Sequence, residues 1–392
     1  MKPLNLSRRD WLRYSLAGAS LASTSGWFDV FAQEAAPRRD RKRACILMWM
    51  SGGPSQMDTF DLKPGTPNGG LFKDIATAAD GMRISEHLPK LAQYGKKLAV
   101  IRSMTTKEGD HSRGASYAHC GYLSQGPIKY PTLGSLLSKE LGSDDADLPN
   151  FISISPARGI SPQSYAPGFL GARYAPLLVG DGGAGGEEGL TVEDLRPSGT
   201  LAAETVDDRL DLLTGINDRF LGEYDGGPAA SYRAAYDRAV KLMKSEASKA
   251  FSLDDEPAAI RDAYGRNRFG QGCLMARRLI ERGVPFVEVA FGGLDQQALG
   301  WDTHADNFTQ VRKFSEALDA GWSALMHDLE QQGRLDDVLI VWMGEFGRTP
   351  KINPTGGRDH YPQAWSVVLA GGGIKGGQVI GRTSADGTDV ED

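Results

Sequence analysis

Short apolar runs alternate with longer stretches of helical spacing along this chain, and that alternation sets the expected fold. Six runs rich in aliphatic residues end in glycine or polar clusters: ACILMWM (44–50), KLAVIRSM (97–104), FISIS (151–155), PFVEVAF (285–291), VLIVWM (338–343) and SVVLAG (366–371). Continuous apolar runs of this length predict strands covered on both faces, as in a parallel sheet. Between them, helical patterns occupy 86–94, 131–141, 266–283 and 307–333, which predicts crossover helices. Pro131 is expected in the first turn of its helix, Gly283 and Gly333 close two others, and Asn307 with Gln310 reads as a capping box. The expected architecture is a three-layer α/β/α sandwich around a mostly parallel sheet.

The stretch from about 156 to 262 breaks the rhythm. It holds a glycine-rich loop, GDGGAGGEEG (180–189), and an amphipathic helix over 231–251, and is expected to be an insertion or cap on the main sheet. No internal repeat is present.

Composition narrows the function classes. A net charge of −6 over 392 residues, without a concentrated Lys/Arg stripe in the body of the chain, excludes a nucleic-acid binder. Three cysteines, Cys45, Cys120 and Cys273, form no C-x-x-C pair and leave room for one disulfide at most. The N-terminus carries SRRDWLR (Ser7–Arg13), then a weakly apolar stretch, then VFA at Val30–Ala32. Paired arginines, apolar stretch and small-residue cleavage site in that order predict a twin-arginine signal peptide over 1–32. A linker (33–43) and a folded domain (44–392) follow. No run approaches the ~18 apolar residues that span a membrane. The expected protein is exported by the twin-arginine machinery to the periplasm or beyond, without a membrane span after cleavage.

Ligands of α/β sheets collect at the carboxyl ends of strands, and here those ends are densely polar. After 44–50 comes SGGPSQMDTFDLKPG with Ser55, Asp58 and Asp61; after 97–104, TTKEGDHSRGASYAHCG with Asp110, His111, Ser112 and Arg113. After 285–291 comes GGLDQQALGWDTHADN with Asp302 and His304; after 338–343, GEFGRTP with Glu345 and Arg348; GGRDHYP, with Asp359 and His360, precedes the last run. Oxygen and imidazole donors without thiolates suit a divalent ion such as zinc or manganese. Each segment also has a plainer reading. Asp302 can cap a helix, Asp58 can make an Asx-turn, Glu345 can pair with Arg348, and Asp359 can shape a turn. Arg113 and Arg348, adjacent to the candidate ligands, offer guanidinium groups for a sulfate or phosphate.

The twin-arginine leader followed by LMWMSGGPSQMDTFDLKPG, GWDTHADN, MGEFGRTP and GGRDHYP resembles the DUF1501 family of exported bacterial proteins, from about Ala44 to the C-terminus. The GEFGRTP and GRDHYP pair is its most specific part. The resemblance implies an alkaline phosphatase-like fold shared with sulfatases and phosphatases, holding one or two divalent metals (zinc, manganese or calcium). It makes Asp302, His304, Glu345 and His360 the leading ligands, with Asp58, His111 and Asp359 as further candidates. Phe346 stands where sulfatase-like proteins carry a histidine ligand. The C/S-x-P/A-x-R nucleophile motif of sulfatases is also missing, since the corresponding segment reads GDHSRGAS. Formylglycine chemistry is therefore not expected, and either the Ser112 hydroxyl or activated water would attack. Relatives usually continue past the last strand, so a shortened C-terminus is expected.

The resulting expectation is an exported, metal-dependent hydrolase of sulfate or phosphate esters, including those of sulfated polysaccharides, with Arg113 and Arg348 holding the anion. The alternative is a catalytically degenerate exported binding protein on the same scaffold. A mutase or transferase is a third reading.

Overall fold

All six apolar runs become strands of one sheet in the computed structural model, which describes residues 43–391 except 124–125, 181–188, 194, 196–202, 224–226 and 295–296. The signal segment and the centre of the glycine-rich loop lie outside the described residues. The strands are β1 (Ala44–Trp49), β2 (Leu98–Met104), β3 (Phe151–Ile154), β4 (Leu177–Val179), β5 (Phe286–Ala290), β6 (Val338–Met343), β7 (Trp365–Gly371) and β8 (Gln378–Ile380). They form an eight-stranded sheet in the order β8-β2-β7-β6-β1-β5-β3-β4. Only β7 is reversed, pairing antiparallel with both β2 and β6.

The major helices are α1 (His111–Cys120), α2 (Leu133–Leu141), α3 (Ala203–Glu223), α4 (Gly227–Lys244), α5 (Arg268–Glu281) and α6 (Asn307–Gln331). Alternation along β1 shows why they form two layers. Ile46, Met48 and Met50 enter one core with residues of α5 and α6. Cys45, Leu47 and Trp49 enter a second core with Ala115 of α1, against which Leu137 of α2 packs. Side chains two apart share a face, so a run that is apolar throughout needs both layers. Glu288 is the exception on β5. It is fully buried on the α1 side, where its Oε2 lies 3.2 Å from His119 Nε2 and its Oε1 accepts from Ser153 Oγ at 3.1 Å.

Several local expectations change. Part of the 156–262 stretch belongs to the main sheet, because Leu177–Val179 pairs in parallel with β3. Thr132 caps α2 by accepting from Ser135 N at 3.3 Å, so Pro131 precedes the cap instead of occupying the first turn. Asn307 is the first residue of α6, and the cap position falls to Asp306 in the left-handed region (φ 48°). The Asn307 amide is drawn inward: it donates to Asp58 Oδ2 at 2.9 Å and accepts from Thr303 Oγ1 at 2.5 Å. Of 86–94, only Pro89–Ala92 is helical. Among the described residues no helix is long and apolar enough to cross a membrane.

Candidate metal centre

Four segments meet beyond the carboxyl edge of the sheet. They are the turn after β1, the first turn of α1, the loop from β5 to α6, and the loop from β6 to β7. The β5–α6 loop is anchored by Trp301, whose fully buried ring packs against Phe291 and Phe314. Its neighbour Asp302 passes so close to the β1 turn that a Cβ on Gly52 (φ 111°) would stand 2.5 Å from Asp302 N. Only glycine tolerates both the conformation and the approach.

Around Asp302 stand three imidazoles. His111 Nδ1 lies 2.7 Å from Glu345 Oε1, and its Nε2 is 3.3 Å from Asp302 Oδ2 without a hydrogen bond. His360 Nδ1 donates to the Gly109 carbonyl at 2.7 Å, and its Nε2 is 3.1 Å from Asp302 Oδ1. His304 Nδ1 lies 2.7 Å from Asp359 Oδ1, while its Nε2 is 3.0 Å from both Asp302 Oδ1 and His360 Nε2. Each ring thus spends Nδ1 on an acceptor and turns Nε2 toward one carboxylate, the arrangement that orients metal-binding histidines. Two Nε2 lone pairs 3.0 Å apart repel each other unless a proton or cation lies between them. The ligand atoms of His111, Asp302 and His360 all fall within 4.8 Å of one another. This donor set fits a divalent ion of the zinc or manganese kind.

The electrostatics reinforce the convergence. Burial works to raise the Asp302 pKa, but the adjacent His111 and His360 imidazoles and the Arg348 guanidinium hold it far below the usual carboxylate range. Arg348 is completely buried, with one terminal nitrogen 2.6 Å from Asp302 Oδ1. The same guanidinium donates to the carbonyls of Gly53 (2.9 Å), Arg358 (3.3 Å) and Gly52. Burial opposes protonation of His111, yet contacts with Asp302 and Glu345 push its pKa up to about 9. His119 is likewise raised by Glu288 against its burial.

These shifts predict a stability profile for chelator-treated protein. The contribution of His111 and His119 is complete below their unfolded value of about 6.5. It is lost as pH rises through the folded values, about 9 for His111. The urea midpoint should therefore fall between about pH 6.5 and pH 9, and a flat midpoint over that range contradicts the assignment.

The structure thus brings Asp302, His111 and His360 together, with half-exposed His304 at the rim. Other candidates take different places. Glu345 is buried, and its Oε1 also accepts from Gly52 N at 2.9 Å; it orients His111 and is not itself in the ligand triad. Asp359 does the same for His304. Asp58 is fully buried in a pair with Arg358, at 2.7 and 3.2 Å, and also accepts from Ser55 and Asn307; it ties loops together and lies outside the triad. Arg348 is too enclosed to receive an anion. Arg113 lies at the surface, 2.8 Å from Glu108 and 3.8 Å from Asp110. Ser112 offers its carbonyl to Ser161 Oγ at 2.9 Å, and among the described residues no hydrogen bond joins its side chain to the triad. Sequence reading missed Arg358 and the Gly109 carbonyl. Arg358 was visible in GGRDHYP, but nothing local marks it as the partner of Asp58.

Likeness to solved structures is distant. A sulfatase from Pseudoalteromonas sp. aligns at 13% identity and TM-score 0.40, over 91% of this chain and 67% of that one. Alkaline phosphatase from the Antarctic bacterium TAB5 aligns at 14% and 0.37, over 89% and 96%. Phosphonate monoester hydrolase of Agrobacterium radiobacter aligns at 14% and 0.30, over 88% and 72%. No curated protein matches the chain. A family model described as "Protein of unknown function (DUF1501)" matches residues 42–392.

Proposed function

The chain belongs to the DUF1501 family, and from that premise we propose that it is a metal-dependent hydrolase of sulfate or phosphate esters. The observation that carries this reading is the convergence of His111, Asp302 and His360 at the carboxyl edge of the sheet. His111, Asp302 and His360 would hold the ion, with His304 available at the rim. A divalent ion there supplies Lewis acidity to an ester oxygen and lowers the pKa of water.

The chain's own groups do the positioning. Glu345 fixes the His111 ring, the Gly109 carbonyl fixes His360, and Asp359 fixes His304. The buried Arg348 guanidinium holds the Asp302 carboxylate through Oδ1. His304 and Asp359 are the exposed members; their imidazole–carboxylate pair is suited to proton transfer. Because no hydroxyl among the described residues is hydrogen-bonded to the triad, water is the nucleophile this arrangement favours. The expected substrates include sulfated polysaccharides. The SRRDWLR leader supports delivery by the twin-arginine machinery, which processing of full-length protein would test against an Arg8→Lys, Arg9→Lys variant.

Protein purified without chelator is expected to carry a divalent metal and to turn over at least one of a panel of aryl sulfates and phosphates. A chelator should abolish the turnover and added metal restore it. Metal below about a tenth of an equivalent, unchanged by ligand substitution, would refute the reading. Bound metal without turnover across the panel favours the second reading, a binding protein on the same scaffold. The enclosure of Arg348 and the surface pairing of Arg113 are the observations behind that alternative.

A further inference from the structure

We propose that the buried Glu288–His119 pair is a positioning device for the metal centre. It fixes helix α1 against strand β5 so that His111 and Asp302 meet. The inference rests on the metal-centre reading and assigns a role to two residues outside that centre.

His111, Ala115 and His119 follow one another at helical i, i+4, i+8 spacing, on one face of α1. The first reaches Glu345, beyond the end of β6. The last reaches Glu288 on β5, at 3.2 Å, with side chains 3% and 0% exposed. His119 Nδ1 is engaged by the Ala115 carbonyl at 2.8 Å, which directs Nε2 at Glu288. The ring also packs on Trp49 of β1, centroids 4.2 Å apart. Glu288 in turn accepts from Ser153 of β3. One carboxylate therefore links α1 to two adjacent strands, and β5 continues from it into the loop that delivers Asp302.

Besides His111, α1 is held by the apolar packing of Ala115 and by Ser161 on the Ser112 carbonyl, neither of which fixes its register as a second polar contact does. Two contacts, eight residues apart and so separated by about 12 Å along the axis, fix both motions. The tolerance at stake is small. A slide by one helical residue is about 1.5 Å, whereas metal–ligand distances hold to about 0.2 Å. Stability alone does not require this pair, since apolar residues of similar volume commonly replace a buried ion pair without loss. Its alignment of two ligand-bearing elements is a role that apolar packing does not reproduce.

The test separates alignment from stability. In the double variant His119→Phe, Glu288→Leu both charges leave together, so neither is stranded. Chelator-stripped wild type and variant are titrated with cobalt(II), reading affinity and the visible ligand-field band, alongside thermal unfolding. The variant is expected to fold but to bind cobalt about 10–100-fold more weakly, with a changed band. As a control, Glu256→Gln loosens the Arg277–Arg278 network on α5 and should lower stability while leaving the band unchanged. Wild-type affinity and band in the double variant overturn the proposal. Should that variant not fold, Glu288→Ala is compared with Glu288→Gln, whose amide can still donate to His119 and accept from Ser153. Weakened binding in the first, restored in the second, supports the device; equal affinities overturn it. A wild type that takes up no cobalt removes the metal-centre reading itself, a separate outcome.

Discussion

Replacing Asp302 by alanine is expected to abolish divalent-metal binding. Asp302 is the one carboxylate in the triad, and its two oxygens are the point on which His111, His304 and His360 converge. Removing it leaves the imidazoles beside a buried guanidinium without the balancing carboxylate, an environment less favourable to a cation. The affinity loss should exceed the roughly 10–100-fold typical of losing an outer hydrogen-bond partner. Arg348 keeps its three carbonyl partners but loses its carboxylate, so stability should fall as well, and unfolding is measured beside metal binding. Metal analysis and the thermal shift on adding zinc check this directly. Wild-type metal content in Asp302→Ala, or in the near-isosteric Asp302→Asn, would contradict the assignment.

Asp58→Ala should produce the opposite pattern, with stability lost first. Asp58 and Arg358 have no exposed side-chain surface, and the pair joins the β1 turn, the start of α6 and the β6–β7 loop through Ser55, Asn307 and the carbonyls of Thr349 and Pro350. Removing the carboxylate strands a buried guanidinium, which costs about 3–5 kcal/mol. Urea denaturation of metal-free protein measures this. A variant that loses metal while its unfolding midpoint stays unchanged would instead make Asp58 a ligand.

The contrast between these two aspartates shows what the sequence can and cannot reveal. Both sit in polar loops after apolar strands, and both looked like ligands. Asp302 follows a buried tryptophan in a loop that already pointed to the sheet edge. The role of Asp58 depends on Arg358, three hundred positions away, and no local pattern announces such a pair. Glu345 is similar, because its position beyond β6 was legible but its assignment to His111 required the packing of α1. The six longer strands were readable because each is largely apolar on both faces. β4 and β8 were not, since three residues cannot establish a period. The reversal of β7 was equally hidden: an apolar run carries no record of its direction. Asn307 had the right residue type for a cap, but the buried Asp58 carboxylate competed for its amide and won.

The reversal of β7 has a consequence for how this centre can vary. β6 ends and β7 begins at the same edge, and the two are neighbours in the sheet. The segment between them, carrying Glu345, Arg348, Arg358, Asp359 and His360, therefore leaves and rejoins one side without crossing over. It behaves as a cassette mounted on a two-strand hairpin. Its ends are fixed by ladder hydrogen bonds and its middle by the buried Arg348 and Arg358, while the exposed stretch around Asp359, beside His304, can change donors without rethreading the chain. Donors exchanged in this cassette would retune the centre, whereas the Asp302 loop, which leads into the long crossover helix α6, is far less free to change.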